Sequence, residues 1–411
     1  MRCGLIGASL DHSFSKEIHE KLGRYAYELI ELAPGELETF FRARSFDGIN
    51  VTIPYKQAVI PYLDGMSGRA AAVGAVNTVV NRGGKLWGDN TDLCGLEALI
   101  RRLGFDLTGA AVLIAGTGGT SRTATAAANA LGAADVVRLS RSGREGAMTY
   151  EEAYDKRADA AFLINTTPAG MFPDPDGCCV DLDRLPGLRG VADVVYNPLT
   201  TRLVREARAR GIPAEGGLFM LTAQAVSAAE IFTGERFGPE TTERLYRELL
   251  FDKRSIVLTG MPGCGKSTLG ALLARRLGRE LVDTDAEIVR RTGMPITEVF
   301  RTHGEAYFRN LETEVLRTAG LTGGRVIAAG GGAVLRPENV DAMKQNGTVV
   351  FLDRPLDGLR PTADRPLADD AEKLRRLYET RRPTYTAAAD VTVPVRGTPE
   401  QTAETVLERL R

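Results

Sequence analysis

The chain has 411 residues, 43% hydrophobic and 26% charged, with 52 basic against 53 acidic side chains. That length exceeds the roughly 250–300 residues at which one hydrophobic core stops growing, so at least two domains are expected. The balanced charge argues against a nucleic-acid or membrane-surface partner. No run of about eighteen apolar residues occurs and no apolar core follows the basic residue of MRCGLIGASLDHS, so the expected location is the cytoplasm.

Taken along the chain, CGLIGAS, GINVTIP, AAVLIAG, ADVVRLS, SIVLTG and TVVFLD are short β-branched or aliphatic runs. They alternate with segments of helical period, which predicts an α/β fold with parallel sheets covered by helices. TGAAVLIAGTGG opens a fresh strand–loop–helix unit, and the helical TTERLYRELL runs through FDKRS into SIVLT, placing a domain boundary near Phe251. Cys3, Cys94, Cys178, Cys179 and Cys264 are scattered without a C-x-x-C pair and read as reduced thiols. His12, His19 and His303 have no metal-like cluster around them.

GMPGCGKSTLG satisfies G-x-x-x-x-G-K-[ST] through Gly260, Gly265, Lys266 and Ser267, between a strand and a helix former. Backbone N–H groups of Gly260, Gly263, Cys264, Gly265 and Thr268 are expected to curl around phosphates, Lys266 to reach the β/γ oxygens, and the Ser267 hydroxyl to ligate Mg²⁺. Downstream lie VDTDAEI with Asp283 and Asp285, EAYFRNLE with Arg309 and Glu312, and VIAAGGGAV with Gly330, Gly331 and Gly332. Singly, each has an ordinary structural reading: a helix cap, an i,i+3 charge pair, a turn.

In this order after the loop, these pieces resemble shikimate kinase over about Ser255 to Val395, including ADRPLADD with Arg365 and TRRPTYTAAADVTV with Arg381 and Tyr385. The resemblance implies a P-loop domain of nucleoside-monophosphate-kinase type using Mg-ATP, assigned here to residues 251–411. By it, Asp285 positions and polarises the acceptor hydroxyl, and Asp283 supports Mg²⁺ through water beside Ser267. Arg309 and Arg381 grip the substrate carboxylate, with Arg382 leaving that register open by one residue. Gly330, Gly331 and Gly332 admit the ring, and Arg365 closes with a lid onto the transferred phosphoryl group. Such chemistry is mostly positioning and electrostatics, and a small acid suits paired arginines.

Upstream, LDHSFSKEIH, FDGINVTIPYKQAV, GAVNTVV, GDNTDLCG and GLFMLTAQA resemble shikimate dehydrogenase over about residues 1 to 248. The resemblance makes Lys56 and Asp92, the latter in an N-T-D turn, the catalytic pair. A lysine beside a carboxylate can exchange a proton at a carbonyl or alcohol oxygen while hydride travels from a nicotinamide. Ser13, Ser15, Thr52, Asn77 and Gln224 are expected to bond the ring hydroxyls and carboxylate, with Tyr196 assisting. Alternatively, Ser13 and Ser15 cap the helix of SKEIHEKLG and Asn77 is a turn residue. Leu93 stands where the family usually has glycine.

AGTGGTSRTATAA is the nucleotide loop: Gly116, Gly118 and Gly119 precede a helix whose N-terminus would take a pyrophosphate, with Thr120 beside them and Ser121 at the third glycine's place. After DVVRL, Ser140 and Arg141 stand where NAD enzymes carry an acid, and an arginine there suits the 2′-phosphate of NADP(H). Thr166 in INTTPAGM, Gly217 and Met220 complete the cofactor set, Met220 beside the nicotinamide. The resemblance assigns about 1–95 plus 218–250 to a substrate-binding subdomain and about 96–217 to a Rossmann subdomain, within residues 1–250.

Together these imply NADPH-dependent reduction of 3-dehydroshikimate, followed by Mg-ATP-dependent phosphorylation of shikimate at its 3-hydroxyl. The rival readings are quinate or another small polyol as substrate in one half, or one half as a silent ligand-sensing or scaffolding module. Small-molecule substrates are the expected partners, and either a monomer or a homodimer is compatible with the sequence.

Overall fold

The computed structural model describes residues 1–10, 13–144, 146–359 and 370–410. Two compact units are present, Met1–Asn197 with Thr201–Leu249, and Pro198–Thr200 with Leu250–Arg411.

The first unit contains two six-stranded sheets. In the first are β1 (Arg2–Gly7), β2 (Ala26–Glu31), β3 (Gly48–Val51), β4 (Gly65–Met66), β5 (Thr78–Arg82) and β6 (Lys85–Asp89), ordered β2-β1-β3-β5-β6-β4. The pairing is parallel over β2, β1 and β3 and reverses at β5, which runs antiparallel to β3 and forms a hairpin with β6 through Gly83 and Gly84 at φ 60° and 85°. Two successive left-handed residues match the twist of a two-residue hairpin. The parallel sheet expected from the sequence is thus mixed at this point. Helix Leu218–Thr233 returns to this sheet, where Ala228 and Phe232 pack with Cys3, Leu5, Leu10 and Tyr27.

The second sheet comprises β7 (Ala111–Ala115), β8 (Asp135–Ser140), β9 (Met148–Thr149), β10 (Phe162–Asn165), β11 (Gly190–Asp193) and β12 (Ala214–Glu215). Its order is β12-β11-β10-β7-β8-β9, and all its pairs are parallel. The chain winds outward from β7 to one edge and then restarts at β10 on its other side. This is the doubly wound arrangement in which ligands bind beyond the strand ends at the reversal. Leu113, Leu139, Leu163 and Val191 carry its core.

The second unit holds β13 (Ser255–Thr259), β14 (Leu281–Asp283), β15 (Val326–Ala328), β16 (Gly347–Asp353) and β17 (Val391–Pro394), parallel in the order β14-β15-β13-β16-β17. Central β13 is buried along its whole length, as its unbroken SIVLT run requires, and its C-terminal end delivers the glycine loop. Among the described residues no helix is long and apolar enough to cross a membrane.

Candidate functional site

In the first unit, a cavity of about 310 Å³ gathers Ser13, Ser15, Thr52, Lys56, Asn77, Asp92, Tyr196 and Gln224, together with Thr120, Gly217 and Met220. Residues distant in sequence therefore meet in a space suited to a small ligand. Lys56 Nζ donates to Asp92 Oδ2 at 2.6 Å. Asp92 is not in a turn: it is the second residue of helix Thr91–Arg102, whose N-cap Asn90 accepts from Leu93 N. Leu93 is buried and sits in the first turn of this helix.

Asn77 is likewise no exposed turn residue. Its Oδ1 accepts from Thr91 N at 2.7 Å, its Nδ2 donates to Thr91 Oγ1 at 3.0 Å, and Thr91 Oγ1 reaches Gln224 Oε1 at 3.3 Å. A buried amide without such partners would cost about 1–3 kcal/mol. Asn50, absent from the sequence-based site, lines the same cavity and donates to Asn77 O at 3.2 Å while accepting from Tyr27 Oη. Its signal was only a polar residue inside the apolar strand run INV. Neither serine is the N-cap of the first helix, a place Phe14 takes, yet Ser13 Oγ accepts from Ser15 N, the helix's first N–H, at 3.2 Å.

At the nucleotide end, Gly116 has φ 109°, and a Cβ there would lie 2.7 Å from Thr166 Oγ1, whose hydroxyl donates to Ala115 O at 2.6 Å. Helix Gly119–Ala130 starts after Gly118, without a capping side chain, leaving N–H groups for an anion. Ser121 shapes the loop: its N–H and hydroxyl both go to Gly118 O, at 3.0 and 2.6 Å.

At the end of β8, Ser140 Oγ is buried without a hydrogen-bond partner among the described residues, beside the exposed Arg141. Arg144, exposed in the same loop, is a second guanidinium that the sequence reading passed over. The orphaned hydroxyl and two exposed basic groups fit a ribose 2′-phosphate. Gly217 starts helix Leu218–Thr233 so close to Val194 O that a Cβ would overlap it, and Met220 is buried in the cavity wall. Behind this wall, the Asp193 carboxylate accepts from Asn165 Nδ2 at 2.9 Å, Val195 N at 3.0 Å and Thr201 Oγ1 at 2.6 Å, fixing the loop that carries Tyr196. Complete burial pushes Asp193 up to about 6 despite those bonds.

In the second unit, Gly260, Gly263 and Gly265 adopt φ 142°, 77° and 102°, a conformation side chains resist, which curls the loop ahead of helix Lys266–Leu277. Lys266 Nζ donates to Gly260 O at 2.8 Å and Met261 O at 3.1 Å, lying across the loop where a phosphate oxygen can replace those carbonyls. The Cys264 side chain is in the core with its Sγ 3.9 Å from Lys266 Nζ, while Thr268 is exposed in the first helical turn.

Ser267 Oγ donates to Asp283 Oδ2 at 2.6 Å, and Asp283 Oδ1 accepts from Asp285 N and Ala286 N. Asp283 is thus both the helix cap and the serine's partner. Among the described residues no three His, Cys, Asp or Glu side chains cluster as a metal cage. A hydroxyl beside one carboxylate fits Mg²⁺, which keeps most of its waters and binds largely through phosphates.

Beyond the loop, Arg309 pairs with Glu312 at 2.7 Å and Glu305 at 3.1 Å, Glu312 being fully buried. Burial raises the Glu312 carboxyl against the opposing pull of Arg309, and its Oε1 has no hydrogen-bond partner among the described residues. A Cβ at Gly330 would overlap that oxygen and lie 2.8 Å from Asp285 Oδ1, and one at Gly332 would overlap the Arg309 guanidinium. Only a backbone without side chains can meet these groups so closely. Arg381 donates to Gly331 O at 3.0 Å, and Tyr385 Oη bonds the same carbonyl. Arg365 lies outside the described residues. Glu312, named with Arg309 in the sequence as an i,i+3 charge pair on a helix face, forms that pair, but as a buried anion that holds Arg309.

A family model described as shikimate kinase matches residues 262–411, and one described as shikimate dehydrogenase substrate binding domain matches residues 5–79. Shikimate dehydrogenase (NADP(+)) of Clostridium perfringens (strain SM101 / Type A) is 34% identical over 264 residues, covering 60% of this chain and 97% of that relative. The chain belongs to the shikimate dehydrogenase family.

Shikimate 5-dehydrogenase from Thermus thermophilus, solved in complex with NADP(H) and shikimate, is similar with a TM-score of 0.54 and 31% identity, covering 60% of this chain and 99% of that one. Quinate dehydrogenase from Corynebacterium glutamicum in complex with NAD is similar with a TM-score of 0.55 and 31% identity, covering 61% and 98%. The shikimate dehydrogenase likeness thus ends before the glycine loop, and the kinase match accounts for the rest of the chain.

Proposed function

We propose that the chain is a bifunctional shikimate-pathway enzyme: residues 1–250 reduce 3-dehydroshikimate to shikimate with NADPH, and residues 251–411 phosphorylate shikimate with Mg-ATP. The observation that carries the first activity is the Lys56–Asp92 pair in a cavity that also holds both the ring-binding side chains and Thr120 and Met220 from the cofactor end.

Gly116, Gly118, Gly119, Thr120 and the Arg141 loop would hold NADPH, which would supply the hydride when bound. Lys56 donates the proton to the ketone oxygen, and Asp92 orients its ammonium. Ser13, Ser15, Thr52, Asn77, Tyr196 and Gln224 bond the ring hydroxyls and carboxylate, with Asn77 and Gln224 held in place by buried bonds through Thr91. In the kinase half, ATP supplies the phosphoryl group. Lys266 and the loop amides bind its oxygens, Ser267 and Asp283 hold Mg²⁺, Asp285 orients the acceptor hydroxyl, and Arg309 with Arg381 binds the carboxylate. Arg365 is proposed to complete this set from the lid.

The test incubates the protein with 3-dehydroshikimate, NADPH and Mg-ATP and quantifies shikimate and shikimate 3-phosphate. Both products are expected. Shikimate alone would remove the proposed kinase substrate, and preferential oxidation of quinate with NAD would move the first half to the chemistry of its quinate-dehydrogenase relative.

A further inference from the structure

Gln57 and Arg122 stand outside every role assigned so far. Gln57 directly follows Lys56, and Arg122 lies in the first turn of helix Gly119–Ala130, two residues beyond the cavity-lining Thr120. With its amide oriented to satisfy both groups, the Gln57 carbonyl oxygen accepts from Arg122 Nη1 at 2.9 Å and Nη2 at 3.0 Å. Both side chains are exposed, and among the described residues no carboxylate pairs with Arg122, so this amide is its protein acceptor.

The bond joins two parts of the reaction that come from separate sheets. Lys56 follows the first sheet's β3, whereas helix Gly119–Ala130 follows the second sheet's β7 and turns its N-terminus to the nucleotide. Hydride and proton must reach adjacent atoms of one carbonyl, and reacting atoms need to come within about 3–3.5 Å, so a small slip between lysine segment and nucleotide helix is costly. We infer that Gln57 and Arg122 are a positioning pair for the dehydrogenase reaction, holding the Lys56 segment in register with the nucleotide-binding helix. The inference rests on the dehydrogenase function proposed above.

The experiment uses the full chain with Gln57→Ala, Arg122→Ala, the double variant and Gln57→Glu. Its readouts are kcat, both KM values, the effect of 4-deuterated NADPH on kcat, and the thermal unfolding midpoint. Each alanine variant is expected to lower kcat about tenfold with unchanged KM for NADPH, the double variant being no slower than either single one. The isotope effect should rise as hydride transfer becomes limiting, and Gln57→Glu should restore kcat by keeping an acceptor for Arg122. Losses that multiply in the double variant, an unchanged kcat, or a raised KM for NADPH confined to Arg122→Ala would overturn the pairing, the last making Arg122 a phosphate ligand instead. A fall in kcat that tracks a lowered unfolding midpoint, with no change in isotope effect, would also overturn it. Wild-type NADPH oxidation is measured first: its absence defeats the dehydrogenase reading itself, whereas active wild type with indifferent variants defeats only the pair.

Discussion

Arg381 donates to the Gly331 carbonyl at 3.0 Å, while its neighbour Arg382 forks onto Asp353 at 3.1 and 2.8 Å. One helix, Ala371–Ala388, thus sends adjacent arginines to different tasks, since successive helical positions point about 100° apart. Of the two, the largely buried Arg381 stands at the glycine triplet with Arg309.

Replacement of Arg381 by alanine is therefore expected to raise the KM of the kinase for shikimate by roughly tenfold to a hundredfold, the loss of one charge-assisted contact. Arg382→Ala removes a half-exposed ion pair and should change KM by less than about threefold. Steady-state kinetics on the two variants decides between them, and the reverse ranking would shift the carboxylate grip to Arg382.

Lys56→Ala should lower dehydrogenase kcat by roughly a hundredfold to ten-thousandfold, the range for a general acid–base group, and leave phosphorylation of added shikimate intact. Lys266→Ala should show the opposite pattern, with kinase activity down by at least about a hundredfold and NADPH oxidation retained. Parallel assays of both activities on each variant test the assignment.

Arg141→Ala should weaken NADPH more than NADH. The guanidinium is exposed, so a loss of about tenfold in kcat/KM for NADPH is expected, with NADH nearly unchanged. Adding Arg144→Ala should extend the loss if both groups meet the 2′-phosphate.

Asp193 makes stability depend on pH. Burial raises its carboxyl from 3.8 to about 6, so between those values the folded chain holds a proton that the unfolded chain has released. Its contribution is complete below pH 3.8 and is lost as pH rises through about 6, a change of at most about 3 kcal/mol. Asp193→Asn should remove that slope from denaturant unfolding of the first unit measured between those pH values. An unchanged slope would assign the titration to another group.

Motif chemistry was readable because it is local. A phosphate loop needs left-handed glycines, a lysine and a hydroxyl within about eight residues, and Gly260 to Ser267 declares all of them in order; the strand runs SIVLT and AVLIA show their burial in the same direct way. The α/β class and the two linked families followed from such stretches. What they left open were matters of direction and partnership. Whether Asn77 is a turn or a hub depends on Thr91 and Gln224, the latter 133 residues from Thr91, and whether Ser121 serves a cofactor depends on where its hydroxyl turns. The reversal at β5, the separate tasks of Arg381 and Arg382, the buried Glu312 behind Arg309 and the Gln57–Arg122 bond were likewise settled by packing. A side chain's type is written in the chain, but its acceptor is supplied by whichever distant element the folded core brings beside it.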